Sequence, residues 1–172
     1  GPSLIIAPTS VCFNWQQEAL KFAPTLNIKI FSDSANTVQR QKLLNELSPF
    51  DCVIISYGLL QREHEILKGV HWHSIVADEA QALKNPLTKR TKAAIALKSD
   101  FKMITTGTPI ENNLTELWSL FRFVNPGLLG NIKRFGERFS VPIENANEDP
   151  LAARKASQAL KALIQPFILR RM

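Results

Sequence analysis

Five brief apolar runs, Leu4–Ala7, Ile28–Phe31, Cys52–Ser56, Ser74–Ala77 and Lys102–Thr105, alternate with amphipathic stretches along the chain. That alternation is the pattern of an α/β fold with a mostly parallel sheet flanked by helices. Short apolar runs suit strands covered on both faces. Phe167–Leu169 is a further strand candidate.

The intervening helices have readable ends. Ser10 is placed to cap a helix whose Val11, Trp15, Ala19 and Phe22 share a face, with Pro24 past its end. Val38, Leu44 and Leu47 mark a second stripe, ended by Ser48-Pro49. Leu59, Leu60, Glu63 and Leu67 mark a third, with Gly69 as its stop. Asn85-Pro86 reads as a cap followed by a first-turn proline, opening a helix through Leu97. Leu114, Leu117, Trp118, Phe121 and Val124 have the spacing of a fifth, buried face. Beyond Asn125-Pro126 the character shifts to charged helical patterns around Ile132–Phe139 and Leu151–Ile164. The expected division is therefore a sheet domain over residues 1–125 and a helical appendage over 126–172.

Composition narrows the class. The chain has 172 residues, 45% hydrophobic and 21% charged, which supports one real core and excludes disorder. No apolar run approaches the roughly 18–20 residues of a membrane span, so no membrane partner is expected. Cys12 and Cys52 form neither a disulfide framework nor a metal-ligand spacing, which points to a reducing compartment. The chain enters a strand at once, without the pattern of a signal peptide, and reads as a piece of a larger protein. The net charge of +6 is uneven, with eight basic and four acidic residues over 131–172 and six basic and one acidic over 84–102. Such clusters are either solvated surface or polyanion contacts.

Four strand ends carry polar groups. Asp78 and Glu79 follow Ser-Ile-Val-Ala, which puts adjacent carboxylates at the carboxyl edge of the sheet, where open α/β folds bind ligands. Nucleoside triphosphate hydrolysis needs such a pair, one for magnesium and one for the attacking water, though a helix-start Asp-Glu would look the same. Thr105-Thr106-Gly107-Thr108-Pro109 follows another strand, with small residues for a sharp turn and hydroxyls for phosphate or relay. Ala7-Pro8-Thr9-Ser10 opens the helix bearing Asn14-Trp15, a start that suits a phosphate or serves as an ordinary cap, with Trp15 read as core. Ser56-Tyr57 ends a further strand on the same edge and admits the same two readings. His71 and His73 alternate across Trp72, but two ligands do not make a zinc site. Phe121, Phe123, Phe135 and Phe139 read as packing residues rather than base-stacking ones.

Taken in order, these segments resemble the Swi/Snf-type DNA-dependent ATPases of helicase superfamily two. The resemblance rests on Ile-Ile-Ala-Pro-Thr-Ser with Asn-Trp, Ile-Ser-Tyr, Asp-Glu-Ala-Gln, and Thr-Gly-Thr-Pro-Ile-Glu-Asn-Asn running into Leu-Thr-Glu-Leu-Trp-Ser-Leu-Phe. The closing Pro-Phe-Ile-Leu-Arg-Arg extends it over nearly the whole chain. It implies the greater part of a RecA-like first lobe, with residues after Asn125-Pro126 as its helical protrusion. By position, Asp78 would bind magnesium, Glu79 would activate water, and Gln81 would sense nucleotide or the second lobe. Thr106, Gly107 and Thr108 would couple hydrolysis to DNA contact. Pro8, Thr9, Ser10, Ser56 and Tyr57 would face duplex DNA, and Arg170 and Arg171 would begin the passage to a second lobe.

One departure limits the inference. A phosphate-binding loop needs Gly-Lys-Ser/Thr, and none of the seven glycines precedes a lysine. ATP and magnesium would both require that loop upstream, so these residues alone are expected to be inactive. A sheet without the loop's strand is expected to show a gap or an unpaired edge open to self-association. The parent is expected to be an ATP-driven double-stranded DNA translocase or remodeller, nucleoid-associated in the cytoplasm of a prokaryote or nuclear in a eukaryote. A strand-separating helicase and a non-enzymatic binding scaffold are the alternatives.

Overall fold

A computed structural model describes residues 1–31, 35–108 and 113–170. The chain divides into two compact units, Gly1–Pro126 and Gly127–Met172.

The first unit is a five-stranded parallel sheet in the order β2-β3-β1-β4-β5. Its strands are β1 (Ser3–Ala7), β2 (Asn27–Ile30), β3 (Asp51–Ser56), β4 (His71–Ala77) and β5 (Lys98–Ile104). β1 lies between β3 and β4, with Ile5 opposite both Ile54 and Val76. From β1 the chain moves outward to β2; from β3 it crosses over β1 to β4. Right-handed crossovers in opposite directions must lie on opposite faces of the sheet. Accordingly α1 (Thr9–Phe22) covers Ile5, Cys52 and Ile54 through Cys12 and Trp15. The other face packs Leu4, Ile6, Val53 and Ile55 with α2 (Thr37–Asn45), α3 (Tyr57–Arg62), α4 (His64–Leu67), α5 (Lys89–Ile95) and α6 (Leu114–Val124).

Several local expectations are corrected. Ser10 does not cap α1: Pro8 occupies the cap position, no side chain supplies the bond, and Ser10 is exposed within the first turn. Asn85-Pro86 does not open α5. The Asn85 carboxamide instead accepts from the Leu87 N–H at 2.9 Å, forming a local turn, and Thr88 caps the helix. The expected third helix is interrupted at Glu63, whose carboxylate pairs with the buried Arg40 guanidinium at 2.8 Å and the Thr37 hydroxyl at 3.0 Å. β4 and β5 begin earlier than their apolar cores, because His71 and Lys98 already pair in the ladder. Phe167–Leu169 is not a strand; a 3-10 turn, Gln165–Phe167, precedes extended chain.

The sheet has no internal gap. β5 pairs with β4, and its far edge is unpaired among the described residues, with Phe101 58% and Met103 42% exposed. His71 and His73 share Asp100, at 2.7 Å and 3.6 Å. Among the described residues no group of three or more His, Cys, Asp or Glu is placed to hold a metal. No helix among them is long and apolar enough to cross a membrane.

The second unit consists of α7 (Ile132–Phe135), a π turn (Gly136–Ser140), α8 (Val141–Glu144) and α9 (Pro150–Ile164). Phe135 and Phe139 are buried with ring centroids 5.4 Å apart, and α9 buries Ala153, Ala156, Leu160 and Ile164. Asp149 caps α9 ahead of Pro150, accepting from the Ala152 N–H.

Candidate functional site

Because the strands are parallel, their carboxyl ends share one edge in the order Ser56, Ala7, Ala77, Ile104. Adjacent β1 and β4 send their connections to opposite faces, leaving a crevice between them at this edge. Pro8, Asp78 and Thr105 leave the sheet there.

Asp78 stands at the centre. Its N–H donates to the Ile6 carbonyl at 2.8 Å, and its own carbonyl accepts the Tyr57 hydroxyl at 2.7 Å. Its carboxylate Oδ1 accepts the Thr105 hydroxyl at 2.5 Å and the Glu79 N–H at 2.9 Å. Oδ2 accepts the Trp15 indole N–H at 2.9 Å. Burial, reinforced by the nearby Asp78 charge, pushes the Tyr57 phenol far above its ordinary range, so Tyr57 stays a donor.

Glu79 adopts φ 50°, ψ 51°, a left-handed conformation. The turn is held on its far side by the Ala80 N–H donating to the Thr105 carbonyl at 2.9 Å. The Gln81 carboxamide donates to the Glu79 carboxylate and accepts the Thr106 hydroxyl at 2.8 Å. Ser119 on α6 anchors the following 3-10 turn by donating to the Leu83 carbonyl at 2.6 Å.

The structure therefore joins Asp78, Glu79, Gln81, Thr105 and Thr106 in one hydrogen-bonded cluster. Thr108 closes a small turn, its N–H donating to the Thr106 hydroxyl at 3.1 Å. A Cβ added at Gly107 would meet nothing within 4 Å, so packing against the described residues does not require glycine there. Pro109 and the Ile-Glu-Asn portion that follows it lie outside the described residues, as does Arg171. Thr9 and Ser10 are exposed beside the half-buried Pro8. Ser56 and Tyr57 are buried: Ser56 caps α3 by accepting from the Leu59 N–H at 3.2 Å, and Tyr57 supports the Asp78 backbone. Cys52 is buried on β3 beneath α1, where burial pushes its thiol up to about 11 and leaves it unreactive.

Two contributors escaped the sequence reading. Trp15, read as core, directs its donor at Asp78, and Thr105, read as part of a turn, binds the same carboxylate. Spacing gives no signal for either contact, since Trp15 and Asp78 meet only when β1 and β4 pair. The polar set of Asp78, Glu79 and the Thr105 hydroxyl is all oxygen. Magnesium suits such a set, since it takes one or two carboxylates and completes its shell with water and phosphate oxygens.

The model of the SNF2-related domain matches residues 1–172. The chain belongs to that family. This SNF2-related domain is 41% identical over 170 residues to the putative ATP-dependent helicase/translocase YwqA of Bacillus subtilis, covering 99% of this chain and 18% of that protein. It is 38% identical over 177 residues to the TATA-binding protein-associated factor mot1 of Aspergillus fumigatus, covering 99% of this chain and 9% of the relative. Among solved structures, the Sulfolobus solfataricus SWI2/SNF2 ATPase core in complex with dsDNA matches with a TM-score of 0.84 and 44% identity. That match covers 99% of this chain and 33% of the solved chain. The likeness to this ATPase core establishes the RecA-like fold class. The domain thus spans a minor part of these relatives.

Proposed function

We propose that this domain is the first-lobe portion of an ATP-driven translocase or remodeller of double-stranded DNA. The hydrogen-bonded convergence of Asp78, Glu79, Gln81 and Thr106 at the carboxyl ends of β4 and β5 carries the reading. Asp78 holds magnesium, which when bound neutralises phosphate charge. Glu79 orients and accepts a proton from the attacking water, and Gln81 reports its state to Thr106. Thr106, Gly107 and Thr108 pass that state to the DNA-facing edge. Pro8, Thr9 and Ser10 meet the duplex backbone there, and the buried Ser56 and Tyr57 shape the same edge from below. Contacts of this kind read backbone rather than base sequence.

The 172 residues contain no Gly-Lys pair to cradle phosphates, so hydrolysis requires an upstream loop and a second lobe. The open β5 edge is where a further strand, or a second copy of this chain, would pair. Residues 1–125 form the lobe and 126–172 its helical protrusion. The protein works wherever its DNA lies, the nucleoid of a prokaryote or the nucleus of a eukaryote.

The test is ATP turnover with and without duplex DNA, in a chain extended by the upstream loop and second lobe. DNA-stimulated turnover is expected, lost in Asp78→Asn and Glu79→Gln, with none from the 172 residues alone. Strand displacement by the extended protein would favour a helicase instead. No turnover from a folded extended protein would leave a binding scaffold.

A further inference from the structure

Trp15 is the residue of α1 that reaches Asp78. Its ring packs against the cluster of Ile5, Cys52 and Ile54, while its indole N–H points across the β1–β4 crevice to Asp78 Oδ2 at 2.9 Å. An ionised carboxylate offers about four acceptor positions, two on each oxygen. Oδ1 takes two donors, the Thr105 hydroxyl at 2.5 Å and the Glu79 N–H at 2.9 Å. Oδ2 takes one. Among the described residues, the carboxylate therefore keeps a single acceptor position, on Oδ2, beside the Trp15 donor.

We infer that Trp15 is a positioning residue for Asp78, turning the free lone pair of Oδ2 toward the crevice as the seat of a divalent cation. The inference rests on the assignment of Asp78 to magnesium given above. The indole suits this task because it is a donor only, neutral, and unable to compete for the cation. Its ring is held on the sheet by apolar packing, so the donor does not swing away when a metal arrives. Hydrogen bonds that orient metal ligands commonly control affinity without touching the metal.

The test uses the isotope-labelled protein extended by the upstream loop and second lobe, with Mn2+ as probe and Mg2+ as competitor. Without metal, the Trp15 indole N–H signal, identified by its loss in Trp15→Phe, is expected to move upfield in Asp78→Asn while those of Trp72 and Trp118 stay. With Mn2+, the Glu79 and Thr105 amide signals are expected to broaden, Mg2+ to reverse this, and Asp78→Asn to abolish it. Trp15→Phe, which keeps the ring but removes the donor, should raise the Mn2+ midpoint roughly tenfold or more. Cys12→Ala, which trims the packing of the same helix, should leave the midpoint unchanged.

A wild-type midpoint in Trp15→Phe, alongside Asp78-dependent broadening, overturns this inference alone. Broadening that is absent or indifferent to Asp78→Asn overturns the metal assignment and the inference with it. Should Trp15→Phe fail to fold, the indole signal decides: an unmoved signal in Asp78→Asn overturns the positioning role.

Discussion

Glu79 is the one non-glycine residue with positive φ among the described residues, at 50°. A side chain in that region costs about 1–2 kcal/mol, because Cβ crowds the following carbonyl. The conformation persists because the chain is pinned on both sides, by Asp78 to β1 and by Ala80 to Thr105. The strain turns the Glu79 side chain back toward Gln81 instead of along a regular helix start. Glu79→Gly is accordingly expected to be more stable than Glu79→Ala by about 1 kcal/mol in denaturant unfolding, the reverse of the helical order. Equal or inverted stabilities would mean that the turn relaxes without cost. The Asp-Glu pair itself was plain in the sequence. Its left-handed backbone was not, since no glycine or asparagine marked it.

Helix starts show how local chemistry and tertiary pairing divide the work. A side-chain oxygen at the cap position satisfies an otherwise unpaired N–H of the first turn. Thr88 does this for α5, accepting from the Thr91 N–H at 3.3 Å, whereas Ser10 sits inside α1 and makes no such bond. Thr88→Ala is expected to cost about 1 kcal/mol. Ser10→Ala should stay within about 0.5 kcal/mol of the parent, as exposed substitutions usually do. Thermal or denaturant unfolding separates the two, and a larger loss in Ser10→Ala would restore it as the cap. Both misplaced caps arose from reading Ser10 and Asn85 by type alone. Asn85 directly precedes Pro86 and Ser10 follows Pro8 by two residues, and a proline's fixed φ suits either a cap or a turn, so only the neighbouring strands decide which.

For the molecule as a whole, the amino end of β3 holds a pH-dependent anchor. Asp51 is buried, which by itself would raise its carboxyl, but the Ser48 N–H, the Asn27 amide and the Lys29 ammonium outweigh burial and hold it below the usual range. A carboxylate lowered by folding contributes stability that is fully present above its unfolded value, about 4, and is lost as pH falls through the folded one. Asp51→Asn should therefore cost about 2 kcal/mol at pH 7. Between pH 5 and 3 it should lose less further stability than the parent, read from urea midpoints. Parallel losses in the two proteins would remove Asp51 as the anchor. The sequence by itself determined the α/β class, the five strand cores and the polar edge residues, because apolar periodicity and strand-end chemistry are local properties. Only the tertiary structure decided the strand order, the side of the sheet on which α1 lies, and the meeting of Trp15 and Thr105 with Asp78. Those depend on which strands pair across long stretches of chain, and hydrogen-bonded ladders between distant residues leave no periodic trace in either partner alone.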